Sequence, residues 1–253
     1  MIKTVSTGIP ELDRALGGGF LEGSIPLIVG ETYSNSWALG LEIFKRIVDQ
    51  GFFGVIVNYY GPVSLIKRHA SVIGLDIEKL GEKGDLGIID IFGSQHGVEY
   101  EEPYVFSIGD VDAGTFLIKT ANTYRDIVKK YANGRTPIGL TITMDGFAHI
   151  FGEDVGLRIL RKNLAMRETA RRSYDEGPIT LTLLHRDRVS TYFLSWLVSY
   201  SEHVIDLRPT KKACVEELVV RKSLLRDFVP VSGELKLSRG KVEVKIKKKD
   251  PAY

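Results

Sequence analysis

Apolar positions along the chain fall into two rhythms. Short unbroken apolar runs predict buried strands at 24–29, 54–58, 86–91, 138–144 and 179–184. Between them, apolar residues recur at three- and four-residue spacing and predict helices at 38–50, 62–73, 115–131 and 156–174. In the first helix, Leu39, Ile43 and Ile47 with the flanking Phe44 and Val48 form one apolar face. Asn133-Gly134 stops the third helix, and Asp175-Glu176-Gly177-Pro178 stops the fourth. Strands alternating with helices imply βαβ units and a mostly parallel sheet with helices on both faces. After about residue 202 the rhythm changes. Short strands are predicted at 203–207, 215–221, 234–237 and 241–247, with Ser238-Arg239-Gly240 as a hairpin turn. These read as antiparallel strands added to one edge of the same sheet. No linker, repeat or low-complexity segment divides the chain, so 1–253 is expected to form one domain, with about 203–253 a β-rich extension.

Composition narrows the function classes. The 253 residues are 43% hydrophobic and 26% charged, with a formal net charge of +2. Such a balance gives no global field for nucleic acid or an anionic membrane. No apolar run reaches the ~18 residues of a membrane span, and Met1 to Thr7 lack the apolar core of a signal peptide. A soluble, cytoplasmic protein is the expectation. Cys214 is alone and forms no internal disulfide. The five histidines show no metal-ligand spacing, so no metal site is expected. The glutamines number two, Gln50 and Gln95, and this scarcity of thermolabile amides points to a heat-loving source. Arg158, Arg161, Lys162, Arg167, Arg171 and Arg172 make the fourth helix basic, but Glu168, Asp175 and Glu176 dilute it; a solvated face is favoured over nucleic acid. The alternating tail Lys241 to Lys249 reads as an edge strand guarded by lysines.

The first strand-turn-helix is the setting of a phosphate-binding loop, which requires G-x-x-x-x-G-K-[ST]. Here the turn is Gly30, Glu31, Thr32, Tyr33, Ser34, Asn35, Ser36 and Trp37. Only the first glycine is present. Asn35 takes the second glycine position and tolerates positive φ, so the loop shape is expected to persist. Ser36 stands where the phosphate-binding lysine belongs. Trp37 stands at the Mg²⁺-ligand position and offers a cation no lone pair. Glu31 brings a carboxylate toward the place of a polyanion. Each lost charged hydrogen bond forfeits roughly 1.5–3 kcal/mol.

The segment Thr7-Gly8-Ile9-Pro10-Glu11-Leu12-Asp13-Arg14-Ala15-Leu16-Gly17-Gly18-Gly19-Phe20, followed by Gly23-Ser24, resembles the opening of KaiC-like and other RecA-superfamily ATPases. The resemblance runs from Ser6 to about Ser223 and is in particular to small KaiC-like paralogues of heat-loving archaea. It implies a RecA-like three-layer α/β fold. In KaiC-like ATPases adjacent glutamates follow the second strand, and one polarises the attacking water. Tyr59 and Tyr60 occupy those positions here, and a phenol of pKa ~10 is a poor general base. Leu140 to Asp145 resembles the Walker B strand, with Asp145 as its Mg²⁺-associated carboxylate. The strand before His185-Arg186-Asp187 resembles the neighbouring sensor strand, where His185 would face the nucleotide pocket. The resemblance also implies that Arg221-Lys222 lies near residues that reach a neighbouring subunit's ATP.

The resulting expectation is a KaiC/RecA-like protein without catalytic residues, metal or cofactor, acting through a protein or peptide partner in a regulatory or scaffolding role. Tyr59 and Tyr60 lie at the carboxyl end of a strand, where open α/β sheets place ligands, and Trp37 should be close. The alternatives are a nucleotide-binding switch or ATPase with an unorthodox loop, using ATP and Mg²⁺, and a RecA-paralogue-like DNA-repair accessory. ATP binding separates the first from the leading expectation, and salt-dependent DNA binding separates the second. A homo-oligomer remains open.

Overall fold

The computed structural model describes residues 3–171 and 177–247. A small antiparallel pair, β1 (Thr4–Val5) and β2 (Phe20–Leu21), flanks α1 (Pro10–Leu16) in sequence. β3 (Leu27–Gly30) leads into α2 (Ser36–Asp49). β4 (Phe53–Asn58) leads into α3 (Val63–Val72) and α4 (Ile77–Glu82). β5 (Leu86–Asp90) leads into α5 (Ile91–His96), and the short β6 (Val105–Phe106) into α6 (Phe116–Tyr131). β7 (Pro137–Ile142) precedes α7 (Met144–Phe151) and α8 (Glu153–Arg171), and β8 (Ile179–His185) precedes α9 (Thr191–Tyr200). β9 (His203–Pro209), β10 (Val215–Ser223), β11 (Val231–Ser238) and β12 (Lys241–Ile246) follow.

One ten-stranded sheet runs in the order β12-β11-β10-β9-β3-β8-β7-β4-β5-β6. Its pairs from β9 to β6 are parallel, and β9 to β12 pair antiparallel. The period-2 alternation of strand side chains splits the interior into two cores. Ile28, Ile56, Leu140 and Leu183 face α1, α2 and α3, whereas Leu27, Val29, Val55 and Leu184 face α6, α7, α8 and α9. The helices can lie close because the strands yield space: a Cβ on Gly54 would fall 2.7 Å from Phe44 Cζ of α2.

The parallel sheet, the two helical layers and the antiparallel C-terminal strands match the sequence expectation. Several boundaries do not. β3 starts at Leu27, because Pro26 has no N–H to donate and the Ile25 N–H bonds the Glu202 carboxylate at 2.7 Å. β7 stops at Ile142 instead of running to Met144. The Thr143 hydroxyl caps α7 by accepting the Gly146 N–H at 3.3 Å, which puts Asp145 in the first turn of a helix. Ile91 begins α5 rather than ending a strand, with Asp90 accepting the Gly93 N–H at 3.1 Å. α8 begins at Glu153, three residues early; its expected end at 172–174 lies outside the described residues. α9 was hidden in an aromatic run: Phe193 and Leu197 are its buried positions, and Ser190 caps it through the Phe193 N–H at 3.1 Å.

Candidate functional site

Gly30, Asn58 and His185 end three strands on the same edge of the sheet, and the turns after them converge there. β8 lies between β3 and β7, so the Gly30 loop and Asp145 flank the end of β8. The loop after Gly30 is folded down onto the strand. A Cβ on Gly30 would lie 2.5 Å from Ser36 Oγ and 2.8 Å from Ser34 Oγ, so only glycine fits beneath these two buried hydroxyls.

Thr32, Ser34, Asn35 and Ser36 of this loop donate within the chain. The Thr32 N–H bonds Asp187 Oδ2 at 2.5 Å, and its hydroxyl bonds the same oxygen. The Ser34 N–H bonds the Glu31 carbonyl at 2.9 Å, and the Ser36 N–H bonds Ser34 Oγ at 3.1 Å. The Glu216 carboxylate on β10 accepts from Ser34 Oγ at 2.6 Å, from the Asn35 N–H at 2.6 Å and from Asn35 Nδ2 at 2.7 Å. Glu216 is 4% exposed, so these bonds act away from bulk water. An internal carboxylate thus sits just before the amino end of α2, the position that favours an anion.

Glu216 went unread in the sequence, although a signal was present. It shares the period-2 face of β10 with Leu218 and Val220, both fully buried, so a glutamate on that face required a partner. Asn35 has φ −88, not the positive φ expected of it; Tyr33 takes the left-handed turn at φ 72, with its side chain 94% exposed. Two hydrogen bonds donated by Asn35 to Glu216, one from its backbone N–H and one from its side-chain amide, hold Asn35 as the residue before the helix. Glu31 turns away from the loop interior toward Arg186, at 3.7 Å.

Asp145 is buried and committed. Its carboxylate accepts the His185 backbone N–H at 3.2 Å and an Arg188 N–H at 3.2 Å, with His185 Nδ1 at 3.4 Å. Burial opposes ionisation, but hydrogen bonds from His185 and Thr143 outweigh it and hold the carboxyl below its usual range. Arg186, Arg208 and Arg221 gather around the buried Asp206; Arg221 Nε donates at 3.1 Å. Lys222 Nζ donates to the Val198 and Ser199 carbonyls at 3.0 and 3.3 Å. Arg221 and Lys222 therefore hold their own chain together. On α8, Arg167 braces the Gly23 and Pro178 carbonyls, and Arg161 lies 4.2 Å from the Trp196 ring centroid.

The two tyrosines part company. Buried Asn58 forms the turn, donating to the Gly61 carbonyl and Asp90 at 2.7 and 2.6 Å and accepting the Tyr60 N–H at 3.0 Å. Tyr59 enters the core near Phe116 and Phe147, where burial pushes its phenol well above the usual range. Tyr60 goes to the other side. With Ser34, Trp37, His69 and His185 it lines a cavity of about 170 Å³ beside the loop. A larger hollow of about 430 Å³ lies at the opposite, amino edge of the strands, near Lys83, Asp85 and Arg135. There Lys83 and Arg135 neutralise Asp85, and none of the loop residues takes part.

The architecture is that of a RecA-like α/β domain, and two solved structures share it. One, from Pyrococcus horikoshii and solved in complex with an unknown peptide, superposes with a TM-score of 0.84 at 24% identity, covering 97% of this chain and 100% of that one. The other, a KaiC-like protein of the same organism, gives a TM-score of 0.67 at 18% identity, with the same coverage. A family model described as "ATPase: KaiC" matches residues 5–136. The chain belongs to that family. A UPF0273 protein of Thermotoga maritima is 30% identical over 112 residues, 44% of this chain and 46% of the relative. The circadian clock oscillator protein KaiC of Thermostichus vulcanus is 33% identical over 95 residues, 38% of this chain and 18% of KaiC. The chain thus spans less than half the length of these curated relatives.

Proposed function

We propose that this KaiC-family protein does not hydrolyse ATP and acts by binding a protein or peptide partner, in a regulatory or scaffolding role. The observation that carries this reading is the Glu216 carboxylate bonded into the loop. A phosphate-binding loop works by leaving backbone N–H groups free to surround phosphate oxygens. Here the Thr32, Ser34, Asn35 and Ser36 N–H groups already have protein acceptors. A magnesium triphosphate does not fit these residues. It would meet the Glu216 charge, find Ser36 in place of the lysine and find Trp37 in place of the metal ligand. Asp145 is held by Arg188 and His185, and the half-buried Tyr59 packs against Phe116 and Phe147. The surface left at the strand ends is aromatic and partly polar, the composition used for anchoring partners. The peptide bound by the Pyrococcus horikoshii structure supports the same use of this fold.

Calorimetry with Mg·ATP should show no saturation in the micromolar range, and phosphate release at raised temperature should not exceed background. Turnover that disappears in Asp145→Ala would overturn the reading and establish the ATPase alternative. A peptide-display screen should yield binders weakened by Trp37→Ala or Tyr60→Ala.

A further inference from the structure

The cavity beside the loop has a size and lining that specify more than a general docking surface. Its floor is formed by the buried side chains of Leu41, Ile66, Ile142 and Leu183. Its rim consists of the half-buried Trp37, His69 and Tyr60. The Trp37 and His69 rings stack with centroids 4.7 Å apart and planes 29° apart, and Tyr60 lies 6.5 Å from His69. We propose, resting on the protein-binding reading above, that this cavity receives one phenyl-sized aromatic side chain of the partner polypeptide.

Three properties select that occupant. The first is size: the cavity measures about 170 Å³, and an apolar protein cavity of ~150 Å³ accepts benzene. The second is charge. No lysine or arginine lines it, and its Ser34 wall carries the Glu216 carboxylate, so an anionic group gains no counterion and meets repulsion. Burial and the nearby Arg68 cation lower the His69 pKa, which keeps that ring neutral at physiological pH. The third is shape preference. Offset and edge contacts with Trp37, His69 and Tyr60 favour a ring over an aliphatic group by about two- to tenfold. Much of the polar wall is already engaged: Ser34 Oγ donates to Glu216 and Thr143 Oγ1 accepts from Gly146. His185 Nδ1, 3.4 Å from Asp145, is buried without a hydrogen bond, so a ring seated in the cavity leaves that atom as it is.

The test titrates N-acetyl-L-phenylalaninamide into the full chain while the backbone amide resonances of Leu41 and Leu183, which line the cavity and are unchanged in every variant below, are followed by NMR. Saturable millimolar binding is expected, with N-acetyl-L-leucinamide about fivefold weaker and the glutamate analogue not binding. Ile66→Phe fills the floor and should abolish binding; Trp37→Ala opens the rim and should weaken it, so the test stands if one variant fails to fold. Absence of saturation in the wild type, or undiminished binding to a folded Ile66→Phe protein, overturns the assignment. Display-selected peptides that bind Ile66→Phe as well as wild type overturn the cavity assignment but leave the protein-binding reading intact. Amide binding without any peptide binder overturns the polypeptide partner and that reading together.

Discussion

His203 is fully buried on β9, with its ring 5.4 Å from Phe20. Its Nε2 accepts the Leu21 N–H at 2.8 Å, so the neutral ring carries its proton on Nδ1. Burial, helped by the Lys222 cation, lowers the pKa to about 4. The unfolded chain protonates this histidine near 6.5 and the folded chain only near 4, so the stability due to neutral His203 is complete above 6.5 and is lost as pH falls toward 4. Between pH 7 and 4.5 the wild type should lose about 2 kcal/mol more stability than His203→Gln, whose side chain can still accept from Leu21. Urea midpoints at the two pH values measure this; identical losses would place the acid sensitivity elsewhere. The same residue illustrates what a sequence hides. His203 opens a readable strand, but its hydrogen bond to Leu21 crosses 182 residues, and nothing local marks it as a buried acceptor.

At the scale of elements, β3 and α2 were legible because each obeys one period, and the loop between them was legible as a departure from a known spacing. Its closure was not, because the Glu216 contacts again span 182 and 181 residues. Tyr59 and Tyr60 were both expected at the carboxyl end of the strand where ligands are placed, yet the Asn58 turn sends them to different surroundings, and its hydrogen bonds are made by a buried side-chain amide rather than by the tyrosines. The clamp changes what a repair of the loop requires. Ser36→Lys with Trp37→Thr supplies the missing cation and hydroxyl, but Glu216 still opposes phosphate. That double variant should bind Mg·ATP no better than wild type. Adding Glu216→Ala should bring saturable binding in calorimetry, at a stability loss of about 3 kcal/mol from donors left without their charged acceptor. Equal binding by the double and triple variants would show that Glu216 is not the obstacle.

At the scale of the molecule, the parallel sheet and its antiparallel extension were readable from the change of rhythm after residue 202. The order of the strands was not, since β8 enters between β3 and β7 from far along the chain. β12 is one edge of the sheet, and Lys241, Glu243 and Lys245 alternate there with Val242, Val244 and Ile246. Charged side chains on an edge discourage pairing with another chain. Lys241→Thr with Lys245→Thr should therefore self-associate with concentration in sedimentation experiments; a variant that stays monodisperse would show that the edge is protected by other means. The clamped loop has a consequence of another kind. A nucleotide that binds only the native state stabilises it by mass action, about 2.7 kcal/mol when present at a hundred times its dissociation constant. With Glu216 as counterpart, the stabilising partner is covalently part of the chain, at a fixed effective concentration. On the proposed function, the thermal midpoint of the protein should therefore not rise when Mg·ATP is added, whereas a family member that binds ATP in its native state gains stability by mass action.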